Sequence, residues 1–551
     1  SSPMHSAYHP PMRSMLLLVI LALLCARTGS PCQAETLLGS WHFQGSRQIS
    51  QMDGGHVLKS VLEEESSLAV VELLVKKLAS APDQLFYGLG NSAHSERVAI
   101  LQPIMADLIA HESYGEVHGI TFPVLNLSMA IRLTDEKQLE WNQRLRRHAA
   151  HLGWEVHPPL SEGFTANWEA SPQRSGQLMR FGQAGEWLII SIGSDVLTQW
   201  TDWQTAILSD TFPPKPTDRS WLSLQMEIDS LAHFSGHDSK PAVERVRVDW
   251  SGDGDHIRTT GFIQTKEELD ETGESWSIPV NRIVDPVISF STQRNLAPLI
   301  SSLPGVKKLF ADSIPKQSVA WSKPSKVQNP RGEQQTAPWF LNYITWPVEE
   351  DQQSVMPIQE RAKAWLGESF LSNRRVDLVG DAEANHAVMK ITPGFVQPFV
   401  QGYAYGDQFY QMAGLTFVNI SRTNPPPAAL LGQIENHPRL RYYHWELTGE
   451  KVFQYRNLFN LGGFLFGKGQ MLKDSPLFSW TVMLENRLGN AVTQLLRKDE
   501  RTLEIQRKSH FGLTGFEIAL LARWMHADVF PWIHGPSLTD WHLAELQSPR
   551  P

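Results

Sequence analysis

A chain of 551 residues is longer than one hydrophobic core normally serves, so its length points to two or more domains. With 41% hydrophobic and 19% charged residues it has the composition of a folded globular protein. A formal net charge of -9 argues against nucleic acid or an anionic membrane surface as the main partner.

The N-terminus carries an address. Arg13 precedes the apolar run Met15 to Cys25, and a polar stretch then ends in Cys32-Gln33-Ala34. That order of basic, apolar and small-x-small segments predicts a signal peptide over 1–34, cleaved after Ala34, and an extracytoplasmic location. The run is short for a bilayer span, and nothing later approaches one. Both cysteines, Cys25 and Cys32, lie in the segment to be removed. A mature chain without cysteine has no disulfide, thiolate metal site or cysteine nucleophile.

In chain order, 35–120 reads as mainly helical. Leu37 to Ser80 is expected as helix stopped by Pro82, Gln84 to Gly90 as a possible first strand, and Ser95 to Ala110 as helix. The segment 121–310 reads as a first α+β domain. Leu125 to Leu133 looks extended, and Asp135-x-x-Gln138 opens a helix with Trp141, Leu145, Ala149 and Leu152 on one face and Gly153 as its stop. Phe164 to Trp168 alternates, and Leu178 to Gly193 is a hairpin. Trp221 to Ile228 and Val243 to Gln264 repeat the pattern, with Ser251-Gly-Asp-Gly-Asp255 as a turn, and a helical pattern ends near Phe310.

Residues 311–336, rich in Pro, Lys, Ser and Gln, are expected as a linker. A second α+β domain, 337–526, repeats the order: strand Trp339 to Trp346, helix Met356 to Leu366, hairpin Phe399 to Ala413, strand Leu440 to Leu447, helix Gly449 to Phe466, hairpin Ala491 to Ser509 and helix Thr514 to His526. A C-terminal tail, 527–551, follows. The expected fold class is α+β. Repeated β-α-β-β modules form mainly antiparallel sheet with helices on one face, in two similar domains.

Motifs for common chemistries are missing: there is no G-x-G-x-x-G, Walker loop, H-E-x-x-H or G-x-S-x-G. Ser313-x-x-Lys316 matches S-x-x-K, but Pro315 spoils the helix that spacing needs. Asp249, Asp253 and Asp255 with His256 could offer oxygens to Ca²⁺, although Asp and Gly are also what a hairpin turn requires. His233, His237 and Asp238 could ligate a transition metal, and a surface loop explains them as well. His437, His444 and His510 read as ordinary histidines near strand ends, with no serine marked as a partner. The run Arg439 to Trp445 has a basic-aromatic look that a strand also explains. Among 19 tryptophans, Trp141, Trp168, Trp221 and Trp250 fall at core-facing spacing, so packing rather than sugar stacking accounts for them. No catalytic or cofactor-binding residue is assigned, no cofactor is expected, and a metal is left open.

The segments Phe122 to Lys137, Arg180 to Gly193, Asp285 to Arg294, Arg439 to Gly449 and Arg507 to Met525, behind a signal peptide, resemble a family of large uncharacterised exported bacterial proteins. The resemblance covers most of the mature chain and implies export and the repeated α+β plan. It carries no catalytic residue across. The expected function is a non-catalytic extracytoplasmic binding or envelope-associated scaffold. The alternatives are a carrier of an apolar or saccharide ligand, or a hydrolase or metal enzyme assembled from distant residues.

Overall fold

The computed structural model describes residues 36–526 except 53, 86–94, 122–123, 159–166, 172–177, 194–196, 215–219, 235–240, 271–274, 284–286, 302–305, 312–313, 325, 329–333, 337–340, 350–353, 370–374, 382–385, 393–397, 415–427, 436 and 466–474. The expected signal peptide, the C-terminal tail and most of the strand expected at Gln84 to Gly90 lie outside the described residues.

In the N-terminal half, β1 (Thr36–Phe43) is followed by helices α1 (Ser46–Ile49), α2 (Gly55–Leu62), α3 (Glu65–Leu85) and α4 (Ser95–Ala110). Then come β2 (Ser113–Thr121), β3 (Val124–Arg132), α5 (Asp135–His151), β4 (Glu155–His157), β5 (Trp168–Ser171), β6 (Leu178–Ala184), β7 (Trp187–Gly193) and α6 (Leu197–Leu208). β8 (Leu222–Glu227), α7 (Ile228–Phe234), β9 (Val243–Asp253) and β10 (His256–Thr265) complete it.

The C-terminal half runs β11 (Ser289–Arg294), α8 (Ala297–Ser301), α9 (Val306–Phe310), β12 (Gln317–Lys323), the small hairpin β13 (Lys326–Gln328) and β14 (Gln334–Thr336), and β15 (Leu341–Val348). It continues with α10 (Met356–Ser369), β16 (Arg375–Asp381), β17 (His386–Thr392), β18 (Phe399–Tyr405), β19 (Gln408–Gly414) and α11 (Ala428–Glu435). β20 (Leu440–Leu447), α12 (Thr448–Leu465), α13 (Pro476–Arg487), β21 (Asn490–Arg497), β22 (Thr502–Ser509) and α14 (Gly515–His526) are the last of the described elements.

Apart from the β13–β14 hairpin, the strands among the described residues join in one antiparallel sheet of 20 strands. Its spatial order is β4-β5-β6-β7-β3-β2-β1-β8-β9-β10 and then β22-β21-β20-β11-β12-β15-β19-β18-β17-β16. The halves meet where β10 pairs with β22 from Ile257–Ser509 to Gln264–Thr502. Short polar turns fix the hairpin registers: Gly185, Gly254 and Gly406 all take positive φ, which side-chain-bearing residues adopt at a cost.

The mixed helix-and-antiparallel-strand class follows the expectation, while several local expectations are corrected. Thr36–Phe43, expected as helix, is a strand because it pairs on both sides, with β2 and with β8. Pro82 sits inside α3 instead of ending it. Packing of Val70, Leu73, Leu74, Leu78 and Ala81 on α13 and α14 outweighs the one backbone bond a proline removes. Gln317–Lys323, within the expected linker, is β12 and lies in the sheet between β11 and β15. Its alternating Val319 and Trp321 are 2% exposed each, a period-two signal that flanking Pro and Lys obscured.

The helices also occupy both faces, not one. On one face α4 and α5 press Leu101, Trp141 and Leu145 against Ile131, Leu188 and Ile190. On the other, α6 brings Trp200 and Trp203 onto Ala130, Trp187 and Ile189. Successive strand residues point to opposite faces, so a run such as WLIISIG in β7, apolar at both parities, needs cover on both sides. α5 ends as read: Gly153 has φ +71, and the Trp154 N–H donates to Ala149 O at 2.9 Å. Its start differs. Thr134 is the N-cap, and Gln138 donates its amide to Leu133 O instead of closing a box with Asp135.

Candidate functional site

β11 and β20 pair with Ser289 opposite Glu446, Ser291 opposite His444 and Gln293 opposite Tyr442. Alternation sends Phe290 and Tyr443 into the apolar core beneath α11. It leaves Ser289, Ser291, Tyr442, His444 and Glu446 on the face that α12 and α14 approach. Two i,i+2 patterns, S-x-S in β11 and Y-x-H-x-E in β20, thus build one polar layer.

Within it the Ser291 hydroxyl lies 2.8 Å from His444 Nδ1, and His444 Nε2 lies 3.0 Å from Glu446 Oε2. The other carboxylate oxygen of Glu446 accepts the Gly515 N–H at 2.7 Å, at the start of α14. Burial pushes the Glu446 carboxyl up, but the His444 and Gly515 hydrogen bonds and the nearby Lys451 charge outweigh it and leave its pKa below the usual value. An ionised Glu446 draws the imidazole proton to Nε2, which leaves Nδ1 as the acceptor for Ser291. Burial raises the Tyr442 phenol to about 12, partly opposed by its hydrogen bond with Ser291.

Lys451, one turn into α12, is 3% exposed. It donates to Ser322 Oγ at 3.0 Å and to Gln454 Oε1 at 3.1 Å, and burial lowers its pKa to about 8 despite the Glu446 charge. Ser289 donates to Ser322, which donates in turn to Asn342 on β15. On the opposite flank, Arg507 Nε donates to Thr493 Oγ1 and its other nitrogens fork onto Glu517. The arrangement is a hydrogen-bonded chain from Ser291 through His444 to a sealed carboxylate, with a buried amine nearby.

The residues singled out by sequence are dispersed. Ser313 lies outside the described residues, and Lys316 is exposed just before β12. Asp249 accepts from Ser223 and Arg247, Asp253 pairs with Arg258 and Lys508, and exposed Asp255 meets His56 at 3.2 Å. Gly254 between Asp253 and Asp255 has φ +59, the conformation of the expected turn. His233 ends α7, exposed, while His237 and Asp238 lie outside the described residues. Among the described residues no group of three or more His, Cys, Asp or Glu could hold a metal ion.

His437 precedes β20, and His510 packs against His256 with ring centroids 4.6 Å apart at a tilt of 48°, so neither joins His444. Arg439 is exposed, whereas Arg441 is 2% exposed and donates to Asp270 O at 2.7 Å. Trp141, Trp168, Trp221 and Trp250 are buried, as their spacing predicts. Sequence reading missed Ser291, Glu446 and Lys451. The available signal was polar residues at period two in strands whose alternate positions are aromatic.

No described helix is long and apolar enough to cross a membrane. No protein-family model matches the chain, and no curated protein or solved structure is similar to it at a significant level.

Proposed function

We propose that the protein is an extracytoplasmic binding or envelope-associated scaffold made from two copies of one unit. The observation that carries this reading is the matching connectivity of the two halves. β3-α5-β4-β5-β6-β7 pairs in the order β3-β7-β6-β5-β4, and β15-α10-β16-β17-β18-β19 pairs as β15-β19-β18-β17-β16. β1-β2-β3 corresponds to β11-β12-β15, and β1-β8-β9-β10 to β11-β20-β21-β22. The helices that follow β7 and β19 both cover the same second face. Ten strands in the same order twice is far more than short-range folding preferences produce by chance.

Joining two such units through β10 and β22 pairs two strands that would otherwise be edges and makes one continuous sheet. Its half-buried rows of polar residues, such as Gln225, Arg247 and Glu504, suit a binding surface. The buried tryptophans speak against sugar stacking as the means of binding.

Expression in a Gram-negative host, fractionation and mass measurement of the N-terminus test the reading. The expected product begins at Glu35 and is recovered outside the cytoplasm. Recovery in the cytoplasm with residues 1–34 attached overturns the assignment.

A further inference from the structure

One row of cross-strand neighbours crosses the sheet from the C-terminal to the N-terminal half: Ser291, His444, Thr493, Arg507, Thr259, Trp250, Leu222 and Phe43. Its N-terminal end is apolar, as a helix-covered face should be. Its C-terminal end buries hydroxyls, an imidazole and charges, which costs free energy unless every group is partnered. The polar layer of one half stands where the corresponding strands of the other half carry Trp41, Leu224 and Met226.

We propose that Ser291 is the nucleophile of a carboxylic-ester-cleaving site, with His444 as its general base and Glu446 as the residue that positions the imidazole. This goes beyond the scaffold reading and stands on different residues. Three observations carry it. The distances of 2.8 Å from Ser291 Oγ to His444 Nδ1 and 3.0 Å from His444 Nε2 to Glu446 Oε2 fall in the range proton transfer needs. The chain has a direction, because Glu446 accepts from the imidazole and from the Gly515 N–H and so holds Nε2 protonated and Nδ1 free. Exposure differs along it: the Glu446 side chain is 1% exposed and that of His444 15%, and Ser291 is likewise partly exposed. The carboxylate is thus sealed from water, while the hydroxyl and the imidazole keep partial exposure.

In the first step Ser291 Oγ attacks the ester carbonyl carbon and its proton passes to His444 Nδ1. The C–O bond to the alcohol then breaks, and the alkoxide takes that proton as it leaves, giving an acyl-serine. Water, deprotonated by Nδ1, attacks the acyl carbon. The acid departs and the proton returns to Ser291 Oγ.

The test uses the full chain and an alkyl fluorophosphonate, which forms an O–P bond to an activated serine and releases fluoride. Peptide mass spectrometry is expected to place one adduct on Ser291. His444→Gln, which keeps a hydrogen-bonding side chain, should slow labelling by about 100-fold or more. Glu446→Gln should slow it by roughly tenfold and move the midpoint of the pH–rate profile downward, a change that a packing role would not produce. Glu446 and Tyr442 share the imidazole's strand, and the charged groups that act on those two neighbours are Lys451 on α12, Arg507 on β22 and Glu517 on α14. No adduct on wild-type Ser291, under conditions that label a known serine hydrolase, overturns the proposal. So does an unchanged rate in a folded His444→Gln protein. Neither outcome depends on where the protein is located.

Discussion

Arg507 on β22 forks onto Glu517 on α14, with nitrogen–oxygen distances of 2.7 and 3.1 Å and side chains only 8% and 3% exposed. Glu517 also accepts the Thr514 N–H at 2.8 Å, while its own N–H reaches Thr514 Oγ1 at 3.3 Å, so the same carboxylate caps the helix and anchors the sheet. Glu517→Ala strands a buried guanidinium, and urea unfolding should show a loss of about 3–5 kcal/mol. Converting both partners to apolar residues, Arg507→Met with Glu517→Leu, should recover most of that loss. A single-site loss below about 1 kcal/mol would mean the pair is not sealed from water.

A second expectation concerns pH. The Lys451 pKa falls from 10.5 to about 8, so between those values the unfolded chain binds more protons than the folded one and stability rises with pH. The slope it adds approaches about 1.4 kcal/mol per pH unit at most. Lys451→Met should flatten stability between pH 8 and pH 9.5 and leave the protein at least as stable at pH 7. An unaltered slope in the variant would show that Lys451 titrates normally.

Glu446 works in the opposite limb. Its folded pKa lies below the ordinary value, so its contribution is present above that value and disappears as pH falls through the folded one. Acid unfolding followed by far-ultraviolet circular dichroism should begin at lower pH in the wild-type chain than the midpoint of an unperturbed carboxyl. Glu446→Gln should remove its share of that acid-limb dependence.

Packing at Gly115 gives a steric test. Gly115 on β2 lies opposite Trp41 on β1, and a Cβ there would sit 2.1 Å from the indole ring. Gly115→Ala must displace Trp41 from its place against the neighbouring core residues, so a loss of about 1–3 kcal/mol is expected by thermal unfolding. Pairing it with Trp41→Leu, which vacates the contact, should yield a double variant less destabilised than the sum of the two singles.

A continuous sheet also predicts a gradient of amide protection. β10 and β22 pair over eight residues near the middle, whereas among the described residues β4 and β16 are the outermost strands and pair on one side only. Hydrogen exchange should be slowest in β10, β22 and β21 and faster by orders of magnitude at the two edges. Fast exchange in β10 and β22 would indicate that the halves separate in solution.

Local pattern was sufficient where one sequence period dominated. The helix Ser95–Ala110, the strand Leu440–Leu447 and the hairpin of β9 with β10 stand where the 3.6- and 2-residue repeats and turn glycines put them. Sequence alone also buried Trp141, Trp168, Trp221 and Trp250 and assigned Gly254 to a turn. Tertiary contact decided the rest, because pairing partners lie far apart along the chain. Thr36–Phe43 became a strand through β2 and β8, and Gln317–Lys323 moved from a supposed linker into the sheet. The candidate site belongs to the same class: Ser291 and His444 are 153 residues apart in sequence. Only the register of β11 on β20 sets that hydroxyl against that imidazole, and register is a property of two strands at once, which no single stretch of sequence encodes.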